Sequence, residues 1–325
     1  MGNYLLTGAA GFVAGRVAER LLADGHTVHG LDNLNDAYDV RMKEHRLARL
    51  NALPGFSFRQ MDIGDPSTLE ALETGDQRFD GIINLAARAG VRSSLENPWE
   101  YFRTNVTGTL NMLEFCRRRD IPKFVLASSS SVYGSDAPLP TPESYDSSHP
   151  LQPYAASKKS AEVLCHSYHY LYGTDVTIFR YFTVYGPSGR PDMSVFRFTQ
   201  WISEERPVVV FGDGEQSRGY TFIDDIARGT VAGLRPLGFE IINLGGHEII
   251  KINALITALE ERIGKAAQIE RRDRHPADMQ TNWADVSRAQ TLLGWQPQVS
   301  LDAGLDETVN WYLAQREWAS QVNTA

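Results

Sequence analysis

The feature that most constrains this chain is a strand that runs straight into a glycine-rich turn and then a helix, right at its start. Asn3–Thr7 reads as the strand, and Gly8-Ala9-Ala10-Gly11-Phe12-Val13-Ala14-Gly15 follows it. Val13, Val17 and Leu21 then recur at helical spacing until Asp24-Gly25. Gly8 permits a tight turn, and Gly11 lets the backbone approach a pyrophosphate at the helix N-terminus, where free N–H groups and the helix dipole favour anions. Ala14, at the third glycine position, is small enough for helix–strand packing. Phe12 and Val13, which open the helix, belong to the same candidate cradle. Asp32 lies 24 residues after Gly8, at the end of a second strand, Thr27–Asp32. A carboxylate there can bind both ribose hydroxyls and repels a 2′-phosphate, which favours NAD over NADP. The bland alternative for Asp32 is a turn former before Asn33. Asp62 and Ile63, after a third strand at Phe56–Met61, suit the adenine edge or a plain turn.

The rest of the first half alternates short apolar runs with helical patterns, as a parallel sheet with crossover helices does. Gly81–Ala86 reads as a fully buried strand by its continuous apolar character, and Ala86 at its end belongs to the same candidate cradle. Trp99–Arg118 reads as one long helix, Lys123–Ser128 as a strand, and Asp136–Pro153 as a loop rich in Pro, Ser and Asp. Tyr154–Tyr172 is a helix and Val176–Tyr181 a strand. Beyond about residue 180, turns such as Tyr185-Gly186-Pro187-Ser188-Gly189 break the pattern into a loop-rich lobe. Glu240–Leu244 looks like a return to the main sheet. The expected fold is α/β, a doubly wound parallel sheet with a smaller C-terminal α/β lobe. Residues 1–180, with a return near 220–250, form the dinucleotide-binding part, and 181–325 mainly the substrate lobe.

Bulk properties narrow the partners. A net charge of −8 argues against nucleic acid, and no apolar run approaches the ~18 residues of a membrane span. The start leaves no room for a signal peptide. The only cysteines, Cys116 and Cys165, suggest no disulfide framework and fit a cytoplasmic location. No metal is called for.

Tyr154-Ala155-Ala156-Ser157-Lys158 puts a phenol and an ammonium on one helix face. A free tyrosine, with a pKa of ~10, is a poor base at neutral pH, and a neighbouring cation favours the phenolate. The alternative is an amphipathic helix with a buried tyrosine and a solvated lysine. The strand before it ends in Ser128-Ser129-Ser130-Ser131-Val132-Tyr133-Gly134, placing hydroxyls at the sheet edge where doubly wound folds bind ligands. A hydrophilic strand-end turn would look the same.

Taken in order, TGAAGFVAG, NLAARAGVR, ASSSSVYG, YAASK, RYFTVYGP, RGYTFIDDIARG and ADVSRAQTLLGWQP resemble the extended short-chain dehydrogenase/reductase superfamily, the Rossmann-type NAD-dependent epimerases and dehydratases, over nearly the whole length. The resemblance implies Tyr154 as acid/base, Lys158 as the residue that holds the nicotinamide ribose and tunes the tyrosine, and Ser129 as the third catalytic hydroxyl, with Ser128 and Ser130 beside it. It also implies a homodimer that pairs the Trp99–Arg118 and Tyr154–Tyr172 helices.

Relatives that eliminate water or decarboxylate the sugar carry acidic residues where this chain has Ser130-Ser131, and both reactions need a carboxylate for proton transfer. Epimerisation at C4 of a UDP-sugar, through a 4-keto sugar, remains. The stretch Arg180–Pro187 with Ser188-Gly189-Arg190-Pro191-Asp192-Met193 resembles UDP-glucuronate 4-epimerases. A carboxylate needs donors and a cation, so Thr183 and Arg190 are the candidates, since an arginine fork matches a carboxylate. The alternative for Arg190 is an exposed loop residue paired with Asp192. Arg218 matches a position that contacts the diphosphate, and Asp278 one near the nucleotide, although His275 and Ala277 depart from the commoner pattern. Arg88 also departs from it, and either meets the sugar or pairs with a surface acid; Arg92 is a further contact candidate. The rival readings are the same reaction on UDP-glucose or UDP-N-acetylglucosamine, and an NAD sensor of the same fold without turnover.

Overall fold

The first half of the chain alternates β1 (Asn3–Thr7), α1 (Phe12–Ala23), β2 (Thr27–Asp32), α2 (Arg41–Asn51), β3 (Phe56–Gln60), α3 (Pro66–Glu73) and β4 (Gly81–Asn84). Two short helices, α4 (Ser93–Glu96) and α5 (Pro98–Phe102), precede α6 (Gly108–Arg118), β5 (Lys123–Ser129), α7 (Pro153–Tyr172) and β6 (Asp175–Tyr181). Then come β7 (Thr183–Tyr185), α8 (Ser194–Ser203), β8 (Val208–Phe211), β9 (Ser217–Phe222), α9 (Ile223–Ala232) and β10 (Phe239–Leu244). The chain ends in β11 (Glu248–Lys251), α10 (Ile252–Ile263), β12 (Ile269–Arg272), β13 (Thr281–Asn282), α11 (Ser287–Leu293), α12 (Leu301–Ala314) and α13 (Arg316–Ala319). The computed structural model describes residues 1–246, 248–273 and 280–324.

Seven strands form one parallel sheet in the order β10-β6-β5-β4-β1-β2-β3. The order reverses between β1 and β4, and ligands of doubly wound sheets bind at that switch point, beyond the carboxyl ends of the strands. Apolar character on both faces explains why β4 and β5 lie at its centre: all of β4 and six of the seven residues of β5 are buried. One face packs Val17, Ala18 and Leu21 of α1 against Ile226 and Ala227 of α9, with Trp295 beneath. The other packs Met112, Phe115 and Cys116 of α6 with Ala161 and Cys165 of α7.

The second lobe has its own core, where Val195 and Trp201 of α8, Leu255 and Leu259 of α10 and Leu305 of α12 surround β8 and β9. Phe12 of α1 belongs to this core, so the first helix against the seven-stranded sheet is bolted to the lobe. In the lobe β9 pairs antiparallel with β11 and parallel with β7 and β13.

The sequence reading of Trp99–Arg118 as one helix needs a correction. A π-turn at Arg103–Thr107 separates α5 from α6. Such wide turns concentrate at functional sites, and this one carries the buried Asn105. No helix among the described residues is long and apolar enough to cross a membrane.

Candidate active site

No side chain caps the N-terminus of α1, so its first N–H groups face the cleft. Gly8 stands at φ +73°, and a Cβ there would lie 2.8 Å from the Ala86 backbone nitrogen. A Cβ on Gly11 would lie 2.8 Å from the Gly8 carbonyl oxygen. Both glycines are therefore required by the turn itself, and the open space above it is the cradle a diphosphate needs. Ala86 closes the cradle from β4, its N–H donating to the Thr7 hydroxyl at 3.0 Å. Asp32 accepts from the Ala10 N–H at 3.2 Å and the Leu34 N–H at 2.8 Å. The Lys43 ammonium lies 3.6 Å from the same carboxylate. Two backbone donors leave the carboxylate further lone pairs for ribose hydroxyls. Gly8, Gly11, Asp32, Asp62, Ile63 and Ala86 all line one open cleft. These residues fit a dinucleotide without a 2′-phosphate. The side chains of Phe12 and Val13 pack into the lobe core, while their backbone N–H groups are among those that open α1. Asp62 is a turn former as well as a cleft residue, since it accepts from the Gly64 N–H at 2.8 Å and pairs with Arg103 at 3.0 Å.

Pro153 opens α7 and Gly173, in the left-handed region, closes it, which fixes the helix that carries Tyr154 and Lys158. Burial raises the Tyr154 phenol above its ordinary value, while a hydrogen bond with the Ser129 side chain and the charge of Arg190 pull it back. Lys158 is buried and donates to the Ala127 carbonyl at 2.8 Å. Its ammonium is pushed down to about 8 by burial, against the opposing charge of Glu162. Ser129 accepts from the Ser131 N–H at 3.2 Å and stands beside the Ser131 hydroxyl at 2.9 Å. Ser129 of β5 and Tyr154 of α7 are thus joined by a hydrogen bond, and Lys158, one turn further along α7, is held on the β5 backbone.

The flanking serines are placed differently. Ser128 is buried and its hydroxyl donates to Glu162 at 2.6 Å, so it joins the packing network behind the site rather than the cleft. Ser130 is buried and accepts from Asn282 at 3.0 Å, which ties the turn after β5 to β13. Alternation along β5 puts Ser128 on the side opposite Ser129, whereas Ser130 already belongs to the 3₁₀ turn Ser130–Tyr133.

On the lobe side, Thr183 and Arg190 line one small pocket with Tyr185 and Met193. Arg190 is a fork on Asp192, with Nε and Nη2 at 3.0 and 2.5 Å from its two oxygens. It is not an exposed loop residue, because its side chain is 24% accessible. Burial lowers its affinity for a proton, and Asp192, Tyr38 and Tyr154 outweigh that effect. Arg92 stacks on Phe211 with its guanidinium 4.0 Å from the ring centroid. Arg218 donates to the Ser217 and Gln280 carbonyls at 2.7 and 3.2 Å. Arg88 is fixed through its backbone, whose N–H donates to Asn105 at 2.8 Å, and no ion pair holds its side chain among the described residues. Asp278, with His275 and Ala277, lies outside the described residues.

Sequence reasoning missed Asn105. Its amide donates to the Arg88 carbonyl at 3.0 Å and to the Ser157 hydroxyl at 2.9 Å, and Ser157 donates to the Tyr154 carbonyl at 2.7 Å. The π-turn thereby ties the loop after β4 to the start of α7. It also missed the buried pair beneath the site, where Arg180 holds Glu162 through two bonds of 2.9 and 2.7 Å. Burial pushes the Glu162 carboxyl up, and Arg180 and Ser128 outweigh it, leaving it below the usual range.

Comparison with known proteins gives this geometry its relatives. The model of the NAD dependent epimerase/dehydratase family matches residues 4–245. A UDP-glucuronate 4-epimerase of Thermodesulfobacterium geofontis is 54% identical over 314 residues, covering 96% of each chain. The UDP-glucuronic acid 4-epimerase from Bacillus cereus, solved in complex with UDP-glucuronic acid and NAD, aligns with a TM-score of 0.90 at 36% identity. That alignment covers 96% of this chain and 99% of the other. The UDP-glucose 4-epimerase from Thermotoga maritima, solved with UDP-glucose, gives a TM-score of 0.89 at 30% identity over 97% of this chain and 99% of its own. With the glycine turn, the acidic end of β2 and the serine–tyrosine–lysine group in place, the chain belongs to the NAD dependent epimerase/dehydratase family.

Proposed function

We propose that this chain is an NAD-dependent 4-epimerase that interconverts UDP-glucuronate and UDP-galacturonate. The observation that carries the choice of sugar is Arg190, an arginine fork largely withdrawn from solvent whose charge reaches the Tyr154 phenol. An acidic group on the carbon next to C4 would lie between that fork and Thr183. The 54% identity to a UDP-glucuronate 4-epimerase supports the same reading.

In this reading Tyr154 removes and returns the proton of the C4 hydroxyl, with Ser129 holding the sugar oxygen in line. Lys158 supplies the positive charge that favours the phenolate and holds the nicotinamide ribose. NAD, when bound, supplies the acceptor and donor of hydride at C4. The turn at Gly8 and Gly11 and the carboxylate of Asp32 hold it, with Asp62 and Ile63 at the adenine. Arg92, Arg218 and Asp278 serve the diphosphate and uridine, and Arg88 faces the sugar. Residues 1–180 with 220–250 form the dinucleotide half, and 181–325 mainly the substrate half.

Trp99 and Phe102 on α5, and Val163, Tyr170 and Leu171 on α7, leave large apolar side chains exposed, which supports a homodimer through these helices. Free Cys116 and Cys165 fit work in the reducing cytoplasm.

Proton NMR of purified protein with UDP-glucuronate, UDP-glucose and UDP-N-acetylglucosamine in parallel tests the reading. Galacturonate alone as product is expected, and none with Tyr154→Phe, a loss of at least about a hundredfold. Conversion of a neutral sugar only would sink the roles of Thr183 and Arg190. That second reading draws on one observation, that Asp192 already satisfies the Arg190 fork.

A further inference from the structure

Arg46 of α2 is 5% exposed, and no acid pairs with it among the described residues. A buried cation with no carboxylate is costly unless every one of its donors finds an acceptor. Here all five do. Nε donates to the Ser188 carbonyl at 3.0 Å, and Nη2 to the Ser188 and Gly189 carbonyls at 2.7 and 3.1 Å. Nη1 donates to the Ala10 carbonyl at 3.1 Å and to the Tyr38 hydroxyl at 2.8 Å. The guanidinium also lies 5.9 Å from the Phe12 ring centroid and 5.6 Å from that of Tyr38.

The acceptors come from two places that carry different halves of the chemistry. Ala10 stands in the turn between Gly8 and Gly11, under the dinucleotide cradle. Ser188 and Gly189 are the residues that deliver Arg190 to the sugar pocket. Ser188 stands at φ 59°, a conformation a residue with a side chain keeps only where its surroundings dictate it. Its carbonyl takes two of the five bonds, so Arg46 is the group that dictates it.

We infer that Arg46 is a positioning residue that locks the 186–193 loop to the glycine turn, so that Arg190 is aimed only when the dinucleotide cradle is intact. Its role at the sugar rests on the reading of Arg190 given above. A lysine cannot replace it, because an ammonium has three donors on a point charge, whereas the bonds observed need a planar fork. The buried charge also adds to the positive end of α1, on the side where an anionic diphosphate would sit.

The test compares the holoenzyme with Arg46→Lys. Hydrogen exchange of the 186–193 amides is expected to quicken about tenfold, as it does when a segment loses its anchor. KM for UDP-glucuronate is expected to rise about tenfold while the affinity for UDP alone stays within about twofold, because UDP makes no use of Arg190. Unchanged exchange, or equal losses for UDP and UDP-glucuronate, overturns the inference, since a purely structural arginine would lower thermal stability without that split. The wild type gives a second test if the variant does not fold. Across a urea series, residues 8–12 and 186–193 should open as one unit, and separate opening overturns the coupling. Exchange needs no substrate, so a protein that converts only a neutral sugar would refute the sugar reading and leave the lock standing.

Discussion

Tyr154 on α7 and Arg190 on the loop after β7 sit close enough across the cleft that each shifts the other's titration, the arginine drawing the phenol down and the phenol raising the guanidinium. The group assigned to the sugar's carboxylate thus also tunes the assigned base. Arg190→Ala should therefore have two effects. KM for UDP-glucuronate should rise about a hundredfold and that for UDP-glucose far less, as expected for a lost charge-assisted fork. The rising limb of the pH–rate profile should move to higher pH, because the phenolate loses a positive neighbour. Equal losses on both sugars would remove Arg190 from the carboxylate role.

Lys158 is pushed from 10.5 down to about 8 by burial. Between those values the unfolded chain holds a proton that the folded one has released, so this group makes stability rise with pH across that window. Below about pH 8 both states are protonated and the full penalty of a buried ammonium applies. Lys158→Met should therefore be more stable than wild type at pH 7, by on the order of 1–3 kcal/mol, while losing turnover. Urea melts from pH 7 to 10 should show the difference shrinking as pH rises; a constant gap would mean that the ammonium is not desolvated.

Arg180→Met leaves the Glu162 carboxylate buried without its fork, and such a break costs about 3–5 kcal/mol. Adding Glu162→Leu to that variant should recover most of the loss, because a well-packed apolar pair replaces a buried ionic one at little net cost. Chemical denaturation of the single and double variants decides this. A double variant no better than Arg180→Met would show that the pair holds more than its own charges.

Gly8→Ala puts a methyl 2.8 Å from the Ala86 backbone at a φ of +73°. The strain of that conformation alone is about 1–2 kcal/mol. The variant should lose copurifying NAD, measured by release of nucleotide on acid precipitation, while keeping a cooperative melt. Retention of NAD at the wild-type level would mean that the turn does not cradle the diphosphate.

The sheet, the glycine turn and the Ser129–Tyr154–Lys158 group were legible because each carries a local signature, a period or a fixed spacing. The contacts behind these groups were not. In α2, Arg41–Asn51, charges fall on every face, yet the fold buries Lys43 and Arg46, and nothing local distinguishes them from Arg41 or Arg49 at the surface. Asn105 sits in a π-turn that an apolar pattern reads as ordinary helix. Ser128 stands as a backup beside Ser129 because the sequence does not state which of two neighbouring strand residues faces a cleft that a later helix closes. Arg190 lines the lobe pocket with Thr183, and its bond to Asp192, offered as the bland alternative, is present as well.

The seventh strand of the sheet, β10, is built from Phe239–Leu244 and pairs with β6, which ends at Tyr181. During synthesis the outer edge of β6 therefore waits bare while nearly sixty further residues, including the whole of α8 and β9, leave the ribosome. An unpaired edge of this kind is a template for pairing with another chain. A nascent or truncated protein that stops near residue 181 should clump or be held by chaperones. The lobe that carries Arg190 thus also decides when the parallel sheet is safe from its neighbours.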